Sequence, residues 1–366
     1  MEKKSIFIIS CLVIILVALT SALVILLNQD LNPSSSPSLT DCNVIKESGE
    51  GKINLVFFSS RENAKLYSDF LETIAPFDNI KDEFNVYSIE NYTPKCELYQ
   101  GIALLCYSKE LVKKAGSCPN DYIIVLDSKD STIRSSAYMN VMSINMNHLP
   151  TVLPHEFGHV FANLAEEYVP AEITAGSKNC QLNCDKFENN SCFIGCSKSD
   201  YYRSIESGIM RTLSSTEYGK FDEGLIMEKI SSKFPSMVGR AISETVDCSL
   251  KNYYLIEGKY QLNQITILDK TLETGCIGSS GSGGFNYNVI LDNNNSFNGE
   301  FNPELIFTDA QSANETQING EIYQSDKEFF LKIPIVSNSK TLEILKDSQK
   351  LSEINLQDMG ARPCKK

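Results

Sequence analysis

The sequence predicts a mixed α/β domain followed by an all-β, sandwich-like region, both carried behind an N-terminal transmembrane helix. Three observations predict it. Residues 5–27 are an uncharged apolar run, residues 53–234 alternate β-type runs with helix-period segments, and from about residue 250 short β-type runs are broken by Gly, Asn, Asp and Ser.

Residues 5–27, SIFIISCLVIILVALTSALVILL, exceed the roughly 20 apolar residues that span a bilayer as a helix. Lys3 and Lys4 precede the run, so residues 1–4 are expected to be a cytoplasmic tip and everything after residue 27 extracellular. A cleaved signal would have a shorter apolar core and a small-residue cleavage site. The run therefore reads as an uncleaved signal anchor of a single-pass cell-membrane protein. Residues 28–45 begin NQDLNPSSSPSLT, too rich in Pro and Ser to build a core, and read as a linker. The rest divides into an expected α/β domain, 46–247, and a β-rich domain with tail, 248–366.

The net charge is −13, and no Lys/Arg cluster forms an electrostatic footprint for nucleic acid, which is excluded as a partner. Eleven of the twelve cysteines lie beyond residue 27, a number that fits disulfides in an oxidising exterior. Cys180, Cys184, Cys192 and Cys196 form a close cluster that reads as two nested disulfides in preference to a structural zinc site. Sequons at Asn91, Asn189, Asn294 and Asn314 suit an exposed surface.

Within the α/β domain, Ile53–Phe58 reads as a strand. Ser59 and Glu62 then form a capping box, and Ala64, Tyr67, Phe70, Leu71 and Ile74 recur at helical spacing. Phe84–Ile89 and Tyr122–Leu126 are two further strands, and 137–146 alternates less cleanly. Phe221–Phe234 is a closing amphipathic helix.

The chemistry sits in TVLPHEFGHVFANLAEEY, residues 151–168. His155 and His159 are four apart, so on a helix both imidazoles point from one face at one ion. In an HExxH arrangement the two histidines hold Zn²⁺ while the glutamate, here Glu156, takes a proton from the attacking water. Catalytic zinc needs a third protein ligand. Glu166 and Glu167 are the nearby carboxylates, yet on a straight helix Glu166 would lie roughly 10 Å beyond His159. The helix must therefore end and fold back, and Asn163 is placed to take the left-handed conformation that does this.

These residues resemble a known family. His155-Glu156-Phe157-Gly158-His159, with Leu164-Ala165 and Glu166-Glu167-Tyr168, is similar to the HEFGHxxxxLADEY signature of the IgA-peptidase-like zinc metallopeptidases. The resemblance implies a zincin-like α/β (α+β) fold with a mixed sheet and active-site helix. It also implies that Glu166, standing where the family has Asp, is the third zinc ligand. Asn163 stands where the family has Gly. Ile74-Ala75-Pro76-Phe77, Phe84-Asn85-Val86-Tyr87, Tyr202-Arg203 and Ile209-Met210-Arg211 resemble further family segments, the last implying a methionine turn at Met210 beneath the zinc. In such peptidases an edge strand beside the cleft can pair with a substrate backbone, a role open to residues 137–146.

Tyr201 and Tyr202 are candidate donors to an oxyanion, and His148 reads as a loop histidine outside the chemistry. Past residue 250 the β-type runs are YYLIEG, QITIL, YNVIL, EIYQ, FFLKIPIV and TLEIL, and GSSGSGG at 278–284 reads as a flexible hairpin loop. The expectation is a membrane-anchored extracellular zinc endopeptidase acting on proteins or peptides. Its rival is a non-catalytic surface binding or adhesion protein that keeps a zincin fold.

Overall fold

Apolar runs with both faces buried dominate the centre of the molecule. The computed structural model describes residues 41–187, 191–233, 247–292, 295–311, 315–336 and 339–357. An eight-stranded sheet contains β1 (Asn43–Lys46), β2 (Ile53–Phe58), β3 (Phe84–Ile89), β6 (Tyr122–Asp127), β7 (Ser135–Tyr138), β8 (Val141–Asn145), β15 (Leu305–Ala310) and β16 (Asn319–Gln324). Its order is β1-β3-β2-β6-β8-β7-β15-β16, parallel from β3 through β8 and antiparallel elsewhere. Leu55 and Phe57 of β2 face one core with Phe157 and Phe161, while Val56 and Phe58 face another with Leu111 and Cys118. That period-2 split needs continuous apolar sequence, which INLVFF and YIIVLD supply.

Helix α1 (Arg61–Leu71) follows β2, α2 (Lys109–Ala115) precedes β6, α3 (Val152–Ala162) follows β8, and α4 (Lys220–Lys233) follows the site segment. The cap of α1 is Ser60, whose hydroxyl accepts from the Asn63 amide at 3.3 Å, one residue later than the expected Ser59. Two short ribbons, β4 (Glu97–Tyr99) with β5 (Ala103–Leu105) and β9 (Phe193–Cys196) with β10 (Lys198–Arg203), are separate from the large sheet.

Beyond residue 250, β11 (Asn252–Gln261), β12 (Gln264–Thr274) and β17 (Glu328–Pro334) form one sheet. A second holds β13 (Phe285–Leu291), β14 (Ser296–Phe301), β18 (Ser339–Lys346) and β19 (Gln349–Asn355). Both contribute to one apolar core through Ile256, Leu331, Val289 and Ile344.

The expected fold class is corrected here. The molecule is mostly β-sheet, spread over several sheets, and not an α/β domain followed by a separate sandwich. The hairpin β15–β16 leaves the C-terminal strands and extends the large sheet, so strands from both sides of residue 247 share hydrogen bonds. Alternation shows that a segment is a strand but not which sheet it joins. The expected span, 5–27, lies outside the described residues; among the described residues no helix is long and apolar enough to cross a membrane.

GSSGSGG is not a hairpin loop either. It joins β12 to β13, which belong to different sheets, and Ser280, Gly281 and Ser282 are buried. A side chain at Gly278 would overlap the Asn120 carbonyl, so the glycines let two backbones touch. Five disulfides, Cys42–Cys118, Cys96–Cys106, Cys180–Cys196, Cys184–Cys192 and Cys248–Cys276, fit an oxidising, extracellular environment. The close four pair as the nested set.

Candidate metal centre

Helix α3 supplies both histidines. It stops where Asn163 takes φ 52° and ψ 39°, with the Leu164 amide donating to the Gly158 carbonyl at 3.2 Å. The Asn163 side chain donates to the Ala175 carbonyl at 2.9 Å, which holds the reversal. This turn brings the Leu164 carbonyl to His159 Nδ1 at 2.7 Å and returns Glu166 to the histidines.

The returning segment is pinned on both sides. Asn179 receives the Ala165 amide and donates to the Ala165 carbonyl, each at 2.8 Å, and the Ser197 hydroxyl donates to the Glu166 carbonyl at 2.7 Å. Cys180–Cys196 ties Asn179 and Ser197 into one loop. On the other side the Glu167 amide donates to the Met210 carbonyl at 2.9 Å. Met210 is fully buried under α3, and a Cβ at Gly158 would come within 2.8 Å of its sulfur. Glycine in HEFGH is thus a packing requirement.

Each histidine has a fixed tautomer. His155 Nδ1 lies 3.0 Å from the Ile209 carbonyl and His159 Nδ1 2.7 Å from that of Leu164. A carbonyl only accepts, so each Nδ1 carries a proton, and the form of each ring that binds a metal would do so through a lone pair on Nε2. Burial holds His159 below the usual imidazole range, which keeps it neutral. The two Nε2 atoms face each other at 3.2 Å. Two lone pairs at that distance repel unless a cation lies between them.

Carboxylates complete the group. Glu166 Oε1 is 2.9 Å from His159 Nε2, and Asp309 Oδ2, from β15, is 3.4 Å from His155 Nε2. His155, His159, Glu166 and Asp309 are all buried, their ligand atoms lie within 4.8 Å of one another, and the group could hold a metal ion. Glu156 is fully buried, and neither of its carboxylate oxygens has a hydrogen-bond partner among the described residues. Burial, then the charges of Asp309 and Glu166, push its carboxyl well above the usual range. Burial and Asp309 do the same to Glu166. Burial opposes the charge on Asp309, while positive charge at His155 and His159 and the Tyr168 hydroxyl favour it and hold that carboxyl below the usual range; with both rings neutral a metal ion takes over that role. Three carboxylates with no Lys or Arg ion pair among the described residues call for a cation, which reverses this penalty.

Other candidates are placed elsewhere. Glu167 is buried beside Asp222, Arg203 and Arg211, and burial pushes its carboxyl up to about 7. Tyr201 packs on Ala165, Cys180 and Cys196, and Tyr202 pairs through its backbone with Gln181. The tyrosine at the centre is Tyr168, whose hydroxyl donates to Asp309 Oδ1 at 3.0 Å. His148 is held by Ser135 and the Ser131 carbonyl, away from the metal group. Asp309 is the residue that sequence reasoning missed. LIFTDA was not among the expected strands, although its alternation puts Asp309 on the face of Leu305 and Phe307. Phe307 stacks on the His159 ring at 4.0 Å. No protein-family model and no curated protein sequence matches the chain.

Proposed function

We propose that the protein is a zinc-dependent endopeptidase of the HExxH type, in which His155, His159 and Glu166 hold the metal and Glu156 is the general base. The observation that carries this reading is Glu156. A site that only braces the fold has no use for a buried, unpartnered carboxylate beside the ligands, whose burial costs several kcal/mol on its own. Two imidazoles and a carboxylate are a ligand set that suits zinc. The resemblance of residues 155–168 to the IgA-peptidase-like metallopeptidases supports the same reading.

When bound, zinc polarises a substrate carbonyl and makes water more acidic. The chain's own residues do the rest. The Ile209 and Leu164 carbonyls fix both imidazole rings with Nε2 inward. Glu156 takes a proton from the attacking water as oxygen bonds to the carbonyl carbon. It then delivers that proton to the amine nitrogen as the C–N bond breaks.

A second reading is favoured by one observation. With Asp309 the group has four protein side chains, the number of a closed structural zinc site, and fits a non-catalytic surface binding or adhesion protein. The experiment compares wild type and Asp309→Ala, each with and without Glu156→Ala, on a panel of unfolded proteins with zinc content recorded. Cleavage by either Glu156-bearing protein, lost in its Glu156→Ala partner at equal zinc, is the expected result. No cleavage by any of the four, with about one zinc per chain, removes the peptidase and leaves the structural site.

A further inference from the structure

The large sheet contains a segment that the proposed reaction does not need. In peptidases of the kind proposed an edge strand beside the metal can pair with the substrate backbone, and the strand in that position here is β7, whose other neighbour is β8. The edge is filled. Strand β15 runs antiparallel along it, pairing Phe307 with Ala137, Thr308 with Ser136 and Asp309 with Ser135. Its side chains then occupy the site itself: Phe307 covers the His159 ring, and Asp309 stands at the fourth corner of the metal group.

We propose that the β15–β16 hairpin fills in cis the groove in which an extended peptide substrate binds by pairing with β7, with Asp309 closing the coordination position that catalysis needs. The inference rests on the peptidase reading of the site.

Three features show that the fit is built. The Gln311 side chain just past β15 accepts from the Thr212 hydroxyl at 2.9 Å, and the Ile318 amide just before β16 donates to the Arg211 carbonyl at 2.9 Å. Both anchors lie on the segment that carries Met210. Tyr168, from the ligand-bearing turn, holds Asp309 by a 3.0 Å hydrogen bond. Finally, β16 carries Gly320 opposite Asp309 in the register, where a Cβ would overlap both the Asp309 carboxylate and the Tyr168 hydroxyl. Gly320 has no positive φ, so the lack of a side chain there serves this contact and not the backbone.

The hairpin also lies at the rim of the sheet. Strand β16 is the last of its sheet and only half-buried. A cavity of about 930 Å³ opens between Tyr168–Glu172 and Ile318–Ile322, with Tyr168 and Gly320 in its lining.

The test uses the full-length protein loaded with zinc, as wild type, Asp309→Ala and Gly320→Ala. Four quantities are read: metal content, affinity for a peptide hydroxamate that needs a vacant coordination position, hydrogen exchange at the β7 amides, and cleavage of unfolded proteins. Both variants should keep one zinc and bind the hydroxamate roughly tenfold or more tightly than wild type, because a closed state lowers apparent affinity by the fraction that is open. The β7 amides should lose protection in both. Gly320→Ala keeps every ligand, so it carries the test if Asp309→Ala fails to fold. Equal hydroxamate affinity in all three proteins overturns the inference, as does loss of zinc from Asp309→Ala with unchanged affinity in Gly320→Ala. Tighter hydroxamate binding without cleavage by any protein upholds the hairpin and removes the peptidase. Equal cleavage by wild type and both variants upholds the peptidase and removes the hairpin.

Discussion

Replacing Asn163 separates the backbone turn that makes the site from the side chains that line it. Asn163 holds φ 52° and ψ 39° at the end of α3, and its amide donates to the Ala175 carbonyl at 2.9 Å. Asn163→Ala loses that hydrogen bond, worth about 1 kcal/mol, and keeps a Cβ in the left-handed region, a strain of roughly 1–2 kcal/mol that Asn offsets by local hydrogen bonding and Ala does not. Asn163→Gly loses the same bond and escapes the steric cost, but gives back about 0.4–1 kcal/mol through a freer unfolded chain. The glycine variant should therefore be the more stable of the two by about 0.5–1 kcal/mol, with the alanine variant below wild type. Urea unfolding of the zinc-loaded proteins at unchanged m-value reads the difference. Metal content reads the functional half, since only the reversed chain carries Glu166 back to the histidines: the alanine variant should retain less zinc than the glycine variant. If Asn163→Ala equals or exceeds Asn163→Gly in both, the left-handed turn does not set the site geometry.

Other outcomes follow from the same structure. Chelating the metal should lower the melting temperature by several degrees, because a ligand at about 1,000 times its Kd contributes about 4 kcal/mol; a change below one degree would mean that the buried group holds no ion. Cys180→Ser with Cys196→Ser opens a disulfide spanning 16 residues and should cost about 3 kcal/mol and weaken metal retention, since that loop holds the Ala165 and Glu166 backbone. Unchanged zinc affinity would detach the loop from the site. Lys332 is buried against Asn120 and the Tyr253 ring, and burial pushes its amine down to about 7. Between about pH 7 and 10 the unfolded chain then binds the extra proton, so stability should rise with pH in that window, and Lys332→Met should abolish the rise. A flat wild-type profile would contradict this.

What the sequence reveals of the site is what lies close together along the chain. Four-residue spacing places His155 and His159, and the distance to Glu166 demands a reversal that only a residue like Asn163 accepts. Nested pairing of the four close cysteines is read from their spacing and the oxidising context. Asp309 escapes because its partner Tyr168 lies 141 residues away and no local motif marks it. A carboxylate on the same face as Leu305 and Phe307 was the only signal, one that a polar strand end also gives. The fold class failed for a related reason: β15 and β16 have ordinary strand composition, and nothing in their alternation says they return to the sheet of β7. GSSGSGG misled because its composition is that of a loose loop, whereas its glycines serve a close approach of backbones at Asn120.

The measurement that tests the account most directly is an anomalous difference map from crystals of the zinc-soaked full-length protein, collected at the zinc absorption edge. The account predicts one dominant peak, with His155 Nε2, His159 Nε2, a Glu166 oxygen and an Asp309 oxygen each about 2.0–2.2 Å away and Glu156 beside it but unbound. No peak between the histidines, or a peak whose third and fourth ligands come from other side chains, would contradict it.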